Sequence, residues 1–115
     1  MKSIMKFSAL ALVLTAVLLS CTSSNNQAKK QASKTYTIEI KQMKFVPDNI
    51  TINAGDKVRF VNKDIFDHDV TEEKSQKWNS SALKQNQSWT MIVKESSDYF
   101  CSLHVVMKGK IRVKP

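Results

Sequence analysis

The chain has 115 residues, so it holds one domain at most once any leader or tether is set aside. Two glycines are too few for a phosphate-cradling loop or a dinucleotide fingerprint, and two histidines with two cysteines cannot fill a four-ligand structural zinc site and leave anything for catalysis. The net charge of +8 is unevenly placed: from Thr35 onward there are 13 basic and 10 acidic residues, a net of +3 with no basic run, which excludes a phosphate-tracking surface and with it nucleic acid.

In chain order, Lys2 and Lys6 precede an apolar run from Phe7 to Leu19. Thirteen helical residues span about 20 Å, short of the roughly 30 Å hydrocarbon core, so the run reads as an export signal rather than a membrane span. Leu18-Leu19-Ser20-Cys21 looks like a bacterial lipoprotein signal, in which the cysteine is lipidated after cleavage. Residues 1–20 are then the signal. Residues 21–34, with Cys21 at their head and no large apolar side chain after it, are a flexible tether on the outer face of a membrane or in the periplasm.

Residues 35–115 are the folded unit, and their pattern has period two. Tyr36, Ile38 and Ile40 alternate with polar residues, as do Ile50 and Ile52, Val58 and Phe60, Trp89, Met91 and Val93, and Ile111 and Val113. Asn53-Ala54-Gly55-Asp56 marks a turn, and 62–68 and 74–86 read as loops. Short strands with frequent turns predict an all-β unit, a small antiparallel Greek-key sandwich. Trp78, Trp89 and Phe60 are expected in its core. Asp64, Asp67, Asp69, Glu72 and Glu73 lack the glycine and the bidentate glutamate of a calcium loop and are expected to be solvated.

With Cys21 claimed by a lipid, Cys101 is an unpaired thiol in an oxidising compartment and needs a reason. Cys101-Ser102-Leu103-His104-Val105-Val106-Met107 supplies one. With 2 histidines and 5 methionines in the chain, both falling at those offsets has a chance of about one in a thousand. Thiolate, imidazole and thioether are a soft set that favours copper over magnesium, calcium or manganese. His68 is the only other histidine. His68, Cys101 and His104 with a weak axial Met107 make the donor set of a blue-copper electron-transfer site.

From Met43 to Val113 the chain resembles the cupredoxins, the type 1 blue copper proteins. The residues that carry the resemblance are Phe45-Val46-Pro47, Ile50-Thr51-Ile52, Gly55-Asp56, Val58-Arg59-Phe60, Asn62, Asp64 and His68-Asp69-Val70, then Tyr99-Phe100-Cys101, His104, Met107, Gly109 and Ile111-Arg112-Val113. The two-residue gap between His104 and Met107 is most similar to that of the amicyanins. The resemblance implies one copper ion on His68, Cys101, His104 and Met107, and one-electron shuttling by a monomer. It implies redox partners such as a c-type cytochrome or a copper or haem reductase or oxidase. It also implies His104 as the electron port, within an apolar patch of Val105, Val106 and Phe66. The runner-up is a copper carrier or buffer that uses the same ligands without redox cycling; an enzyme is not expected, since no second metal site, base or nucleophile is visible. The chain departs from the family where Asp69 replaces the usual asparagine that pins the cysteine loop, and where Leu103, Val105 and Val106 stand in a loop that often carries proline. Asp69 can still accept backbone N–H bonds, and its charge should favour Cu(II) and lower the potential.

Overall fold

The computed structural model describes residues 29–115. The signal expected at 1–20, the lipidation expected at Cys21 and the expected tether as far as residue 28 lie outside the described residues. Lys29 to Ser33 are exposed and irregular, and the chain is first tied down at Lys34. The Lys34 N–H donates to Asp56 Oδ1 at 2.9 Å, and its carbonyl accepts the Lys57 N–H at 2.8 Å.

Eight strands follow: β1 (Thr35–Lys41), β2 (Lys44–Val46), β3 (Asn49–Ile52), β4 (Lys57–Asn62), β5 (Thr71–Glu72), β6 (Ser88–Ile92), β7 (Ser97–Phe100) and β8 (Lys108–Val113). They form two four-stranded sheets, in the orders β2-β1-β4-β6 and β3-β8-β7-β5. This is the expected sandwich, but it is not purely antiparallel: β1 runs parallel to β4, and β3 parallel to β8. The chain leaves the first sheet at β2, crosses to the second at β3 and returns at β4. β4 therefore re-enters beside β1 in the same direction, where a hairpin would have reversed it.

Alternation explains which face each strand buries. Ile38 and Ile40 of β1, Val58 and Phe60 of β4, Ile52 of β3 and Ile111 of β8 are fully buried, while their neighbours Thr37, Lys57, Arg59, Thr51 and Lys110 face water. Each fully buried aliphatic side chain contributes about 1.5–3 kcal/mol of transfer free energy. Between the sheets, Tyr99 meets Phe45 and Phe60 edge-on, with ring centroids 4.8 and 5.3 Å away. Phe60 stacks on Trp89, and Trp78 packs beside Trp89, so the expected aromatic core is present. The Tyr99 ring has room only because β8 offers a glycine opposite it; a Cβ on Gly109 would lie 2.2 Å from the ring carbon that bears the hydroxyl.

β5 runs against the hydrophobic rule, since both of its residues, Thr71 and Glu72, are polar and buried. Glu72 organises the next turn. Its carboxylate accepts the Ser75 hydroxyl at 2.8 Å and the N–H groups of Ser75 at 2.7 Å and Lys74 at 3.0 Å. Burial pushes its pKa up, but these donors outweigh burial and hold it down at about 2, against an ordinary 4.5. A carboxyl depressed in the folded state contributes stability that is complete above about pH 4.5 and is lost as pH falls towards 2. Glu72→Gln should remove that slope, so unfolding curves recorded from pH 5 to pH 2 should converge for the two proteins. Parallel curves would show that the Glu72 turn is not coupled to folding.

Candidate metal centre

Cys101 stands at the end of β7, and the seven residues to Met107 lead into β8. Three backbone hydrogen bonds wind this loop: His104 N–H to the Cys101 carbonyl at 3.3 Å, Met107 N–H to the His104 carbonyl at 3.0 Å, and Cys101 N–H to the Met107 carbonyl at 3.1 Å. The first two close successive i to i+3 turns, and the third draws the loop's two ends together. Cys101 and Met107 are buried and His104 is half-exposed.

His68 comes from the β4–β5 connection, 33 residues upstream, and is fully buried. It is held at three points. Its N–H donates to the Leu83 carbonyl at 3.2 Å and its carbonyl accepts the Leu83 N–H at 2.7 Å. The third point is its ring: Nε2 meets Asp64 Oδ2 at 2.9 Å. A carboxylate there fixes the proton on Nε2 and leaves the Nδ1 lone pair free, as an outer partner does for a metal-binding imidazole. Nδ1 lies 3.8 Å from the Cys101 sulfur.

The His104 Nδ1 lies 3.9 Å from the same sulfur, and the two imidazole centroids are 4.8 Å apart. All three donor atoms lie within 4.8 Å of one another. Bonds of about 2.0 and 2.3 Å to one first-row ion at 120° would put nitrogen and sulfur about 3.7 Å apart. Both observed nitrogen–sulfur spacings match that figure, so each imidazole is placed to share one ion with the Cys101 sulfur. The expected meeting of His68 with the Cys101–His104 hairpin is therefore present. Met107 is buried, and its backbone closes the same loop through the Cys101 N–H and the His104 carbonyl.

Asp69 holds the cysteine loop, as expected from its position after the first histidine. Its Oδ1 accepts the Ser102 N–H at 2.6 Å and the Thr71 hydroxyl at 3.2 Å, and its Oδ2 accepts the Ser102 hydroxyl. The Asp69 N–H donates to the Cys101 sulfur from 3.3 Å, tying the first histidine's segment to the cysteine.

The expectation of a solvated acidic loop fails at three of its five residues. Asp69 and Glu72 are buried, and the Asp64 side chain is only 15% exposed. Burial raises the Asp64 pKa, but the Met43 and Gln42 N–H groups and the His68 ring overcome it and leave it below the usual carboxylate range. Asp64 is itself set by Asn62, fully buried at the end of β4, whose Oδ1 accepts the Asp64 N–H at 2.9 Å. The Asn62 amide donates to the carbonyls of Phe66 at 2.7 Å and Leu83 at 2.8 Å. Sequence reasoning named Asn62 and Asp64 only as part of the resemblance and missed their role in this layer, at which the place of Asp64 four residues before His68 hints.

Comparison with known proteins agrees with this geometry. A family model described as a cupredoxin-like domain matches residues 10–113. Amicyanin of Paracoccus versutus is 30% identical over 83 residues, covering 67% of this chain and 63% of that protein, so the chain spans a little under two thirds of that relative's length. Among solved structures, a Cu-containing nitrite reductase from Thermus scotoductus SA-01 is 26% identical with a TM-score of 0.65, over 70% of this chain and 22% of that one. A methionine-to-alanine mutant of amicyanin in its Cu(I) form superposes with a TM-score of 0.65 at 22% identity, over 70% of this chain and 82% of that one, a likeness of fold.

Proposed function

This chain belongs to the cupredoxin-like domain family, with His68, Cys101, His104 and Met107 forming the ligand site of one copper ion; on that premise we propose that it is a blue-copper electron carrier, exported and tethered to a membrane through lipidated Cys21. Copper bound there would supply a one-electron Cu(I)/Cu(II) couple. The observation that carries the reading is the pair of nitrogen–sulfur spacings, 3.8 and 3.9 Å, within a scaffold that pins both histidine-bearing loops.

The protein's part is to keep that geometry nearly constant while charge changes. The Leu83 bridge and Asp64 fix His68, and Asp69 fixes the turn after Cys101. The half-exposed His104 is the one imidazole of the pair with access to solvent, which suits it as the electron port. The two histidine loops also expose Ile65, Phe66, Leu103, Val105 and Val106, the last at 84%. Apolar side chains this open are wasted in a monomer unless a partner covers them briefly. Ile65 and Leu103 extend the expected patch of Val105, Val106 and Phe66. A c-type cytochrome or a copper or haem oxidoreductase is the kind of partner that such a carrier serves. Export and the anchor at Cys21 are supported by the sequence of residues 1–21.

Cu(II) added to the full-length chain should give an intense thiolate-to-copper band in the red, and Cys101→Ser should abolish it. A colourless complex would sink the reading. Within it, Val105→Asp should slow exchange with a redox partner by about tenfold, since a charge must then be desolvated at every encounter, while the band stays where it is. An unchanged rate would remove Val105 from the docking surface.

A further inference from the structure

Beside Met107 lies a groove of about 380 Å³ between the β1–β2 turn and the ligand loop. Met43, Lys44, Phe45, Asp48, Val106, Met107 and Lys108 line it. Met107 is 3% exposed, whereas Met43 is 37% exposed. The groove is thus bordered both by the buried methionine of the ligand loop and by a second methionine that solvent reaches.

Met43 sits there at a conformational cost. It and Gln42 are the central pair of a two-residue hairpin turn, and both have left-handed φ, 58° and 52°. Turns of this kind favour Asn-Gly, because a side chain in the left-handed region costs about 1 kcal/mol or more. Asp64 holds the turn: its Oδ1 accepts the Gln42 N–H at 2.7 Å and its Oδ2 the Met43 N–H at 3.0 Å. The same Oδ2 receives the His68 ring. One carboxylate therefore fixes both the first histidine ligand and the turn that carries the open methionine, so that Met43 is stationed beside the centre.

We propose that Met43 is the landing ligand through which Cu(I) enters the site, an inference that rests on the copper reading above. A thioether is a soft, neutral donor that binds Cu(I) in preference to Cu(II). Its three rotatable bonds let the sulfur swing across the groove. Lys44 and Asp48 both border the groove and Lys108 is paired with Glu73 at 2.5 Å, so the rim has no excess charge, and Cu(I) is exchanged onto the sulfur from a delivering complex. The Met43 thioether forms a bond to Cu(I) as the delivering ligand leaves, and that bond breaks when Met107, His104, His68 and Cys101 take the ion. The Cys101 thiol gives its proton to water, copper stays Cu(I) throughout, and no oxidant or reductant is consumed.

The test uses the reduced, metal-free full-length chain mixed with the anionic Cu(I)–bicinchoninate complex, with the loss of the complex's colour timed. Met43→Leu should slow uptake by about tenfold, and Met43→His, which restores a donor, should recover most of the rate. Uptake of Cu(II) from a simple salt, which a thioether assists little, should change less than about twofold in Met43→Leu. Equal Cu(I) rates for the wild type and Met43→Leu would overturn the proposal. So would equal slowing with Cu(I) and Cu(II), because the substitution would then act by disturbing the turn. A wild-type chain that takes no copper from the complex would fail differently, by overturning the copper reading itself.

Discussion

Gly109→Ala should destabilise the domain by about 3 kcal/mol, near the upper end for overpacking a core. For a unit of this size that lowers the melting temperature by roughly 12–24 °C. The new methyl would lie 2.2 Å from both the hydroxyl-bearing carbon and the oxygen of Tyr99, and 2.5 Å from the adjacent ring carbon. Tyr99 cannot yield, because Phe45 and Phe60 hold its ring edge-on from the other sheet. Relief must come from β8, whose register with β3 and β7 is locked by backbone pairing, and whose start is the end of the ligand loop. The substitution should therefore also weaken copper binding, through a displaced Met107. Tyr99→Leu should restore part of the stability of Gly109→Ala, a coupling that a double-mutant cycle measures. Tyr99→Phe should not, since the ring remains. On its own, Tyr99→Phe should be neutral or stabilising by about 1 kcal/mol, because the Tyr99 hydroxyl is buried without a hydrogen-bond partner among the described residues. If Gly109→Ala melts within about 3 °C of the wild type, the packing between β7 and β8 is looser than the structure shows.

The same register explains what could be read in advance. Strands β1, β3, β4, β6 and β8 each set one face on the core, so their apolar residues alternate and the period-two pattern finds them. β2 buries only Phe45 in three residues, and β5 buries a threonine and a glutamate, so neither carries a hydrophobic signature. No residue marks the parallel pairing of β1 with β4, which follows from the chain's path between sheets. At the centre, the donors were legible because thiolate, imidazole and thioether are rare here and closely spaced. The supporting roles of Asn62, Asp64 and Ser80 were not, because a polar residue in a loop reads as solvated until tertiary contacts bury it. Ser80 shows the difficulty: its Oγ accepts the Val70 N–H at 2.9 Å, two residues from His68, yet nothing near position 80 hints at it.

Asp69→Asn should raise the reduction potential while leaving the fold nearly unchanged. The amide oxygen can take over the Ser102 N–H and the Thr71 hydroxyl, and the Ser102 hydroxyl can rotate to accept from the new NH₂ group where it now donates to Oδ2. Every hydrogen bond then survives in some form, and the stability should change by about 1 kcal/mol or less. What is lost is a negative charge one residue from His68, on the residue whose own N–H touches the Cys101 sulfur. That charge favours the oxidised, more positive state of the centre. Its removal should be worth on the order of 1.4 kcal/mol, or about 60 mV for a one-electron couple. Asp69→Ala separates charge from anchoring: the potential should rise similarly, but the Thr71 hydroxyl loses its acceptor and Ser102 is freed, at about 2–3 kcal/mol of stability. The freed loop should also weaken and broaden the thiolate-to-copper band, which Asp69→Asn should preserve. Protein-film voltammetry beside a urea unfolding series resolves the two effects. A potential that is unchanged or lower in Asp69→Asn would mean that the carboxylate holds the loop without tuning the metal.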